Sequence, residues 1–259
     1  MRGPFRSLFR TQRLPTARQA AAQVAQSERI YAVGDIHGRA DLLARILARI
    51  DEDAAARAGD GRRTRLVFLG DYIDRGDNAR AVLAQLRAIR DARGDAVRFL
   101  RGNHEAALAS FLSDPVAGAQ WLDFGGRQTL ASYGVTLAAT SDPAALVAAQ
   151  TAFRAALGAD LAFLDSALIP VMRSGDVIFA HAGVDPGVAL NAQTEDALLW
   201  GSPRFLAAGG PAGLLVVHGH FDAPEPMRGP GRLGVDTGAY YSGVLTAVRL
   251  DAGIAFLSS

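Results

Sequence analysis

From residue 29 onward, short unbroken apolar runs alternate with longer stretches in which apolar side chains recur every three or four positions. A short apolar run bounded by turn residues reads as a buried strand, and a 3.6-residue period reads as an amphipathic helix. Strands are therefore expected over 29–34, 65–70 and 96–100, and helices over 41–58 and 78–92. The first helix draws its apolar face from Leu42, Leu43, Ile46, Leu47 and Ile50, the second from Val82, Leu83, Leu86 and Ile89. Strands alternating with helices imply parallel, right-handed βαβ units. In such sheets ligands gather beyond the carboxyl ends of the strands.

Residues 106–170 break the alternation. Their pattern is largely helical, with turns at Asp114-Pro115, Gly125-Gly126 and Asp142-Pro143. This stretch is expected to pack beside the sheet as a helical insertion. Strands resume over 176–180, 213–217, 232–236, 243–250 and 253–257. Short links such as Leu250-Asp-Ala-Gly253 favour antiparallel pairing in this last group.

Composition narrows the chemistry. The 259 residues are 49% hydrophobic, enough for a sizeable core, and the net charge of +1 gives no general attraction to nucleic acid. All 27 basic residues are arginine, which reads as compositional bias. Cysteine is absent, so disulfides, thiolate metal sites and a cysteine nucleophile are excluded. No apolar run reaches the ~18–20 residues of a membrane span, and a cytoplasmic location is expected. The first 27 residues carry Arg2, Arg6, Arg10, Arg13 and Arg18 and no acidic residue. The expected organisation is a mobile basic arm over 1–28 and one domain over 29–259.

The candidate chemistry lies at the strand ends. Asp35-Ile-His37, Gly-Asp71-Tyr-Ile-Asp74-Arg75-Gly, Gly-Asn103-His104-Glu105, His181-Ala-Gly and His218-Gly-His220 contain all five histidines. Asp35 and His37, two apart past a strand, point to one side and can reach one ion. Asp71 can offer one oxygen to each of two cations, Asn103 a neutral oxygen, and His181 and His220 imidazole nitrogens. This nitrogen–oxygen set suits two divalent ions, with manganese expected first and iron, zinc or cobalt as alternatives. His104 beside a ligand is free to face a leaving-group oxygen, with Asp74 holding its other nitrogen. Arg75 can form a bidentate pair with phosphate. Arg204 is a candidate for the same task, with a surface role as the alternative. Glu105 is expected in a structural hydrogen-bonding role, and Arg101 either faces the cleft or braces it. His220 is preferred to His218 as the metal-facing histidine. Trp121, Phe124 and Trp200 are read as core residues before substrate platforms.

These motifs resemble the calcineurin-like metallophosphoesterases, and within them the phosphoprotein phosphatases that act on phosphoserine and phosphothreonine. The resemblance implies an αββα sandwich of two mixed sheets with a dinuclear centre between them. Asp35, His37 and Asp71 would hold the first ion, and Asp71, Asn103, His181 and His220 the second. His104 and Asp74 would form the acid pair, while Arg75 and Arg204 bind phosphate. The expected reaction is direct attack of metal-bound hydroxide on a phosphoprotein or phosphopeptide. The alternative is a diadenosine-polyphosphate or other nucleotide hydrolase, and a non-catalytic scaffold is a remote third. Phe221 departs from the threonine usual in bacterial and phage members. Asp74 departs from the alanine typical of diadenosine-tetraphosphate hydrolases, which favours a protein substrate.

Overall fold

A computed structural model describes residues 22–138 and 142–259. β1 (Glu28–Val33), α1 (Ala40–Ala55), β2 (Arg63–Phe68), α2 (Ala79–Arg93) and β3 (Val97–Leu100) follow the expected alternation. β1 pairs parallel with β2, and β2 with β3. Both faces of these strands are covered, which is why they read as unbroken apolar runs. Tyr31, Val33, Leu66 and Phe68 face α1 and α2. Ile30, Ala32, Val67 and Leu69 face a second sheet.

The first sheet has the order β11–β10–β1–β2–β3–β4, with β4 at Leu168–Ile169, β10 at Thr246–Leu250 and β11 at Ile254–Ser258. The second has the order β5–β6–β7–β9–β8. Its strands are β5 (Val171–Ser174), β6 (Val177–Ala180), β7 (Leu215–His218), β8 (Met227–Gly229) and β9 (Arg232–Gly234). Val177, Phe179, Val217 and Leu233 fill the space between the sheets. On the outer face, Ile178, Ala180 and Val216 pack on Leu198 of α7 (Glu195–Trp200) and Phe205 of α8 (Pro203–Ala208). The four layers are helices, sheet, sheet and helices, the αββα sandwich expected.

Three details differ from the sequence pattern. Leu168–Ile169, inside the stretch expected to be helical, pairs parallel with β3. A two-residue strand carries no readable period. β5 and β8 also lie outside the expected strands. β6, β7 and β9 run parallel to one another, against the antiparallel expectation. The 34 residues between β6 and β7 hold α7 and α8 and are long enough for a crossover, whereas the β10–β11 link makes the expected antiparallel hairpin. The helical insertion is otherwise as read. α3 (Asn103–Ser113), α4 (Gly126–Ser132), α5 (Pro143–Leu157) and α6 (Ala159–Ser166) share one core with α1 and α2 through Leu108, Leu130, Phe153 and Phe163. Among the described residues no helix is long and apolar enough to cross a membrane.

Residues 1–21 of the expected arm lie outside the described residues. Residues 22–27 pack on the domain. Val24 is 5% exposed within the inter-sheet core. The Gln23 carbonyl accepts the Asp176 N–H at 2.8 Å, and the Ala25 N–H donates to Ser174 Oγ at 3.0 Å. A chain beginning at Ala22 keeps these contacts and one beginning at Glu28 loses them. Burying a valine contributes about 1.5–3 kcal/mol and each hydrogen bond about 1 kcal/mol. Chemical denaturation should therefore find the shorter chain less stable by roughly 3–5 kcal/mol. Equal midpoints and slopes would show that the segment rests on the domain without supporting it.

Candidate active site

Five loops converge at the carboxyl ends of the parallel strands. The loop after β1 carries Asp35 and His37, and the loop after β2 carries Asp71, Asp74 and Arg75. Asn103 and His104 open α3 just past β3, His181 follows β6, and His220 follows β7. Cross-links hold the loops in register: the Asp71 carbonyl accepts N–H bonds from Ile36 at 3.0 Å and His37 at 2.9 Å, and the His181 carbonyl accepts that of Gly219 at 2.9 Å. Two glycines permit the closest approaches. A side chain at Gly102 would overlap the Asp71 carboxylate, and one at Gly219 the Asp35 carboxylate.

Backbone strain falls on the same residues. Among the described residues, the non-glycines with positive φ are His37, Asp71, Asp74, Arg75 and His220. Each was singled out from the sequence for its chemistry. A left-handed conformation in an L-residue costs of order 1 kcal/mol or more and persists where the surroundings over-determine it.

Asp71 sits between two sets of nitrogen donors. His37 Nε2 lies 3.6 Å and His181 Nε2 3.5 Å from Asp71 Oδ2. Both rings direct Nδ1 to a backbone carbonyl, His37 to Ile73 and His181 to Leu69, each at 2.9 Å. That bond fixes the tautomer and leaves the Nε2 lone pair facing inward. The Asp71–His37–His104 and Asp71–His181–His220 donor atoms each lie within 4.8 Å of one another. Asn103 Oδ1 lies 2.8 Å from His181 Nε2 and 2.9 Å from His220 Nδ1. The lone pair of His181 Nε2 thus meets a carbonyl oxygen, an arrangement that a cation resolves. Asp35 stands outside both groups. Its Oδ2 accepts the His220 N–H at 3.0 Å, and its buried Oδ1 has no hydrogen-bond partner. Asp236 lies beside it, and burial together with the Asp236 and Asp71 charges pushes the Asp35 pKa well up. Orphaned oxygen, crowded carboxylates and inward lone pairs fit divalent cations.

The environments sort the histidines into two kinds. Burial pushes His37 down to about 3 and His220 to about 4, and it also lowers His181. These rings are neutral at pH 7 and able to ligate. Burial opposes the charged form of His104 as well, but the Asp71 and Asp74 carboxylates outweigh it and raise its pKa. His104 Nδ1 faces Asp74 Oδ2 at 2.7 Å. Divergent pKa shifts of neighbouring groups separate ligand from acid roles. His218 belongs to neither kind: it is buried on β7 against Phe205 and Phe221. Phe221 packs edge-on to His220 at 4.7 Å.

Glu105 accepts N–H bonds from Asp71 at 2.9 Å, Tyr72 at 2.8 Å and Gly102 at 3.0 Å. It ties the Asp71 loop to the Asn103 loop, the structural role expected. Arg75 is exposed, with its guanidinium 5.0 Å from the Tyr240 ring centroid. Arg204 is 70% exposed and pairs with Asp185 at 3.6 Å. Arg101 pairs with Glu195 at 3.1 Å. Of the aromatics expected in the core, only Trp121 is buried; Phe124 and Trp200 are exposed. Sequence reasoning missed Asp236, although it follows β9 as Asp-Thr-Gly, the same strand-then-aspartate pattern as Asp35 and Asp71. It missed Thr129, which bonds Asp74 from the insertion, and the indole donor role of Trp121.

Residues 28–242 match the calcineurin-like phosphoesterase family. The chain belongs to that family. A stretch of 75 residues, 29% of the chain, is 39% identical to the serine/threonine-protein phosphatase BSL2 of Arabidopsis thaliana and covers 7% of it. Another of 78 residues, 30% of the chain, is 36% identical to a symmetrical bis(5'-nucleosyl)-tetraphosphatase of Janthinobacterium and covers 24% of it. The matches therefore span less than a quarter of either relative. The fold is similar to a solved structure described as a candidate diadenosine tetraphosphatase. That likeness has a TM-score of 0.56 and 20% identity over 92% of this chain and 97% of the other.

Proposed function

We propose that the chain is a two-metal phosphoester hydrolase whose substrates are dinucleoside polyphosphates. The observation that carries the reaction is Asp71 placed between the inward nitrogens of His37 and His181. In this reading Asp35, His37 and Asp71 hold one ion, and Asp71, Asn103, His181 and His220 the other, with manganese the first to supply. When bound, two such ions acidify a water and neutralise the charge of an in-line displacement at phosphorus. Arg75 binds phosphate oxygens through its paired N–H groups. His104, held through Nδ1 by Asp74, gives the Nε2 proton to the departing oxygen. Arg204 binds phosphate only if it leaves Asp185.

The substrate class rests on the relatives named for tetraphosphatase activity and on two exposed rings. Trp200 is 45% exposed, 6.0 Å from His220, and Tyr240 is 38% exposed, 5.6 Å from His37. They flank the two donor groups and offer faces on which nucleobases stack, at about 1–3 kcal/mol per base. A second reading, phosphoserine or phosphothreonine in proteins, is favoured by the buried Asp74–His104 pair. Such an acid matters most for an alkoxide leaving group. Parallel rates on diadenosine tetraphosphate and a phosphopeptide test the choice. The expected result is a kcat/KM at least tenfold higher for the dinucleotide; the reverse ratio would establish the protein phosphatase reading.

A further inference from the structure

Asp74 is fully buried, and its carboxylate is held by more than His104. Trp121 Nε1 donates to Oδ2 at 2.8 Å, and Thr129 Oγ1 donates to Oδ1 at 2.6 Å. The Asp74 N–H donates back to Thr129 Oγ1 at 2.9 Å, which ties down a backbone with φ of 69°. The next residue is gripped too, since the Arg75 N–H donates to the Gly125 carbonyl at 3.4 Å. Trp121, Gly125 and Thr129 all belong to the helical insertion. The Trp121 ring is wedged between Phe111 at 5.0 Å and Phe153 at 5.9 Å, so its N–H has one direction to point.

We propose that Trp121 and Thr129 are positioning residues: the insertion sets the aim of His104 by fixing Asp74. An ionised carboxylate only accepts hydrogen bonds. Three donors on one buried carboxylate satisfy both of its oxygens and fix which of them meets His104 Nδ1. Removing a donor leaves a buried oxygen unsatisfied, and Asp74 then shifts to find another partner. That shift frees the imidazole to rotate away from its 2.7 Å contact with Asp74. Trp121, which by burial alone is a core aromatic, thereby becomes a determinant of leaving-group range. This rests on the reading of His104 as proton donor.

Trp121→Phe keeps the packing and removes the N–H; Thr129→Val keeps the shape and removes the hydroxyl; Thr129→Ser restores it. The measured quantity is the ratio of kcat/KM for an alkyl phosphate to that for nitrophenyl phosphate in the manganese-supplied enzyme. The first two variants should lower this ratio about tenfold, a part of the ~10²–10⁴-fold that general acid catalysis supplies, and Thr129→Ser should restore it. In a His104→Asn background Trp121→Phe should change the ratio no further, because both act through one group. The indole N–H resonances give a readout independent of turnover. Asp74→Ala should move that of Trp121 and speed its exchange, leaving that of Trp200 in place. An unchanged ratio in Trp121→Phe and Thr129→Val, with His104→Asn lowering it, would overturn the proposal and leave the acid reading intact. If His104→Asn itself left the ratio unchanged, the acid reading would fall and the proposal with it. Should Trp121→Phe fail to fold, the Thr129 pair decides alone.

Discussion

Asp71→Asn is expected to empty both metal positions and to lower hydrolysis of nitrophenyl phosphate by about three orders of magnitude or more. Two-metal activation supplies several kcal/mol of barrier lowering, and each 1.36 kcal/mol is tenfold. Asparagine is the informative replacement. It keeps the shape and tolerates the left-handed backbone, here at φ of 52°. It also keeps an oxygen for the His104 N–H, which Oδ1 now accepts at 3.1 Å. What it removes is the negative charge shared by His37 and His181. Burial opposes the charge of Asp71, but His181, His104 and His37 outweigh it and hold its pKa below the usual carboxylate range, while its carboxylate pushes the neighbouring Asp35 and Asp236 upward. A carboxylate with a lowered pKa stabilises the fold above its unfolded pKa, and relief of the Asp35 and Asp236 repulsion offsets only part of that, so at neutral pH the variant without metal should melt a little below the parent. Elemental analysis at saturation, rate and thermal unfolding together test this. A full complement of two ions with a near-parental rate would remove Asp71 from the centre of the site.

The legible part of this molecule is the part written in short-range pattern. The parallel strands are apolar on both faces, and each delivers its motif directly past its last residue. Asp35, Asp71 and Asn103 could thus be placed at one sheet edge from spacing alone. His220 is preferred to His218 from the sequence, but the reason is visible only in three dimensions, because strand alternation turns neighbours two apart onto one side until the chain leaves the sheet. His218 is still on β7 and faces the core, while His220 has passed the strand end and adopts a φ of 63°. Trp121 and Thr129 were illegible for another reason. Their function is a hydrogen bond to Asp74 across 47 and 55 positions, and no local period encodes the direction of an indole N–H. Trp200 was misplaced because apolar character predicts burial only on average. It ends α7 at Gly201, where the helix stops and its side chain meets solvent. The substrate is the least legible level. Two relatives with different named activities share similar lengths of sequence with this chain, and both matches cover small parts of those proteins.

His104→Asn separates leaving-group chemistry from metal binding. An alkoxide departs poorly at neutral pH and needs a proton; a nitrophenolate departs without one. General acid catalysis contributes about 10²–10⁴-fold, and that factor should be lost for a phosphoserine peptide or alkyl phosphate. For nitrophenyl phosphate the loss should be less than about tenfold, since the proton contributes little to that transition state. Diadenosine tetraphosphate should fall between them, because a nucleotide phosphate is a better leaving group than an alkoxide. Metal content should stay at the parental level if His104 is an acid. The geometry makes this last arm necessary: His104 Nε2 lies 3.9 Å from Asp71 Oδ2, close enough for a ligand. Its Nδ1, however, is committed to Asp74 at 2.7 Å, and its pKa moves opposite to those of His37, His181 and His220. Loss of one ion in His104→Asn would place it among the ligands. Equal losses on all three substrates, with both ions retained, would assign it to holding phosphate. Asp74→Asn should repeat the selective pattern more weakly, because the imidazole remains and only its orientation and basicity change.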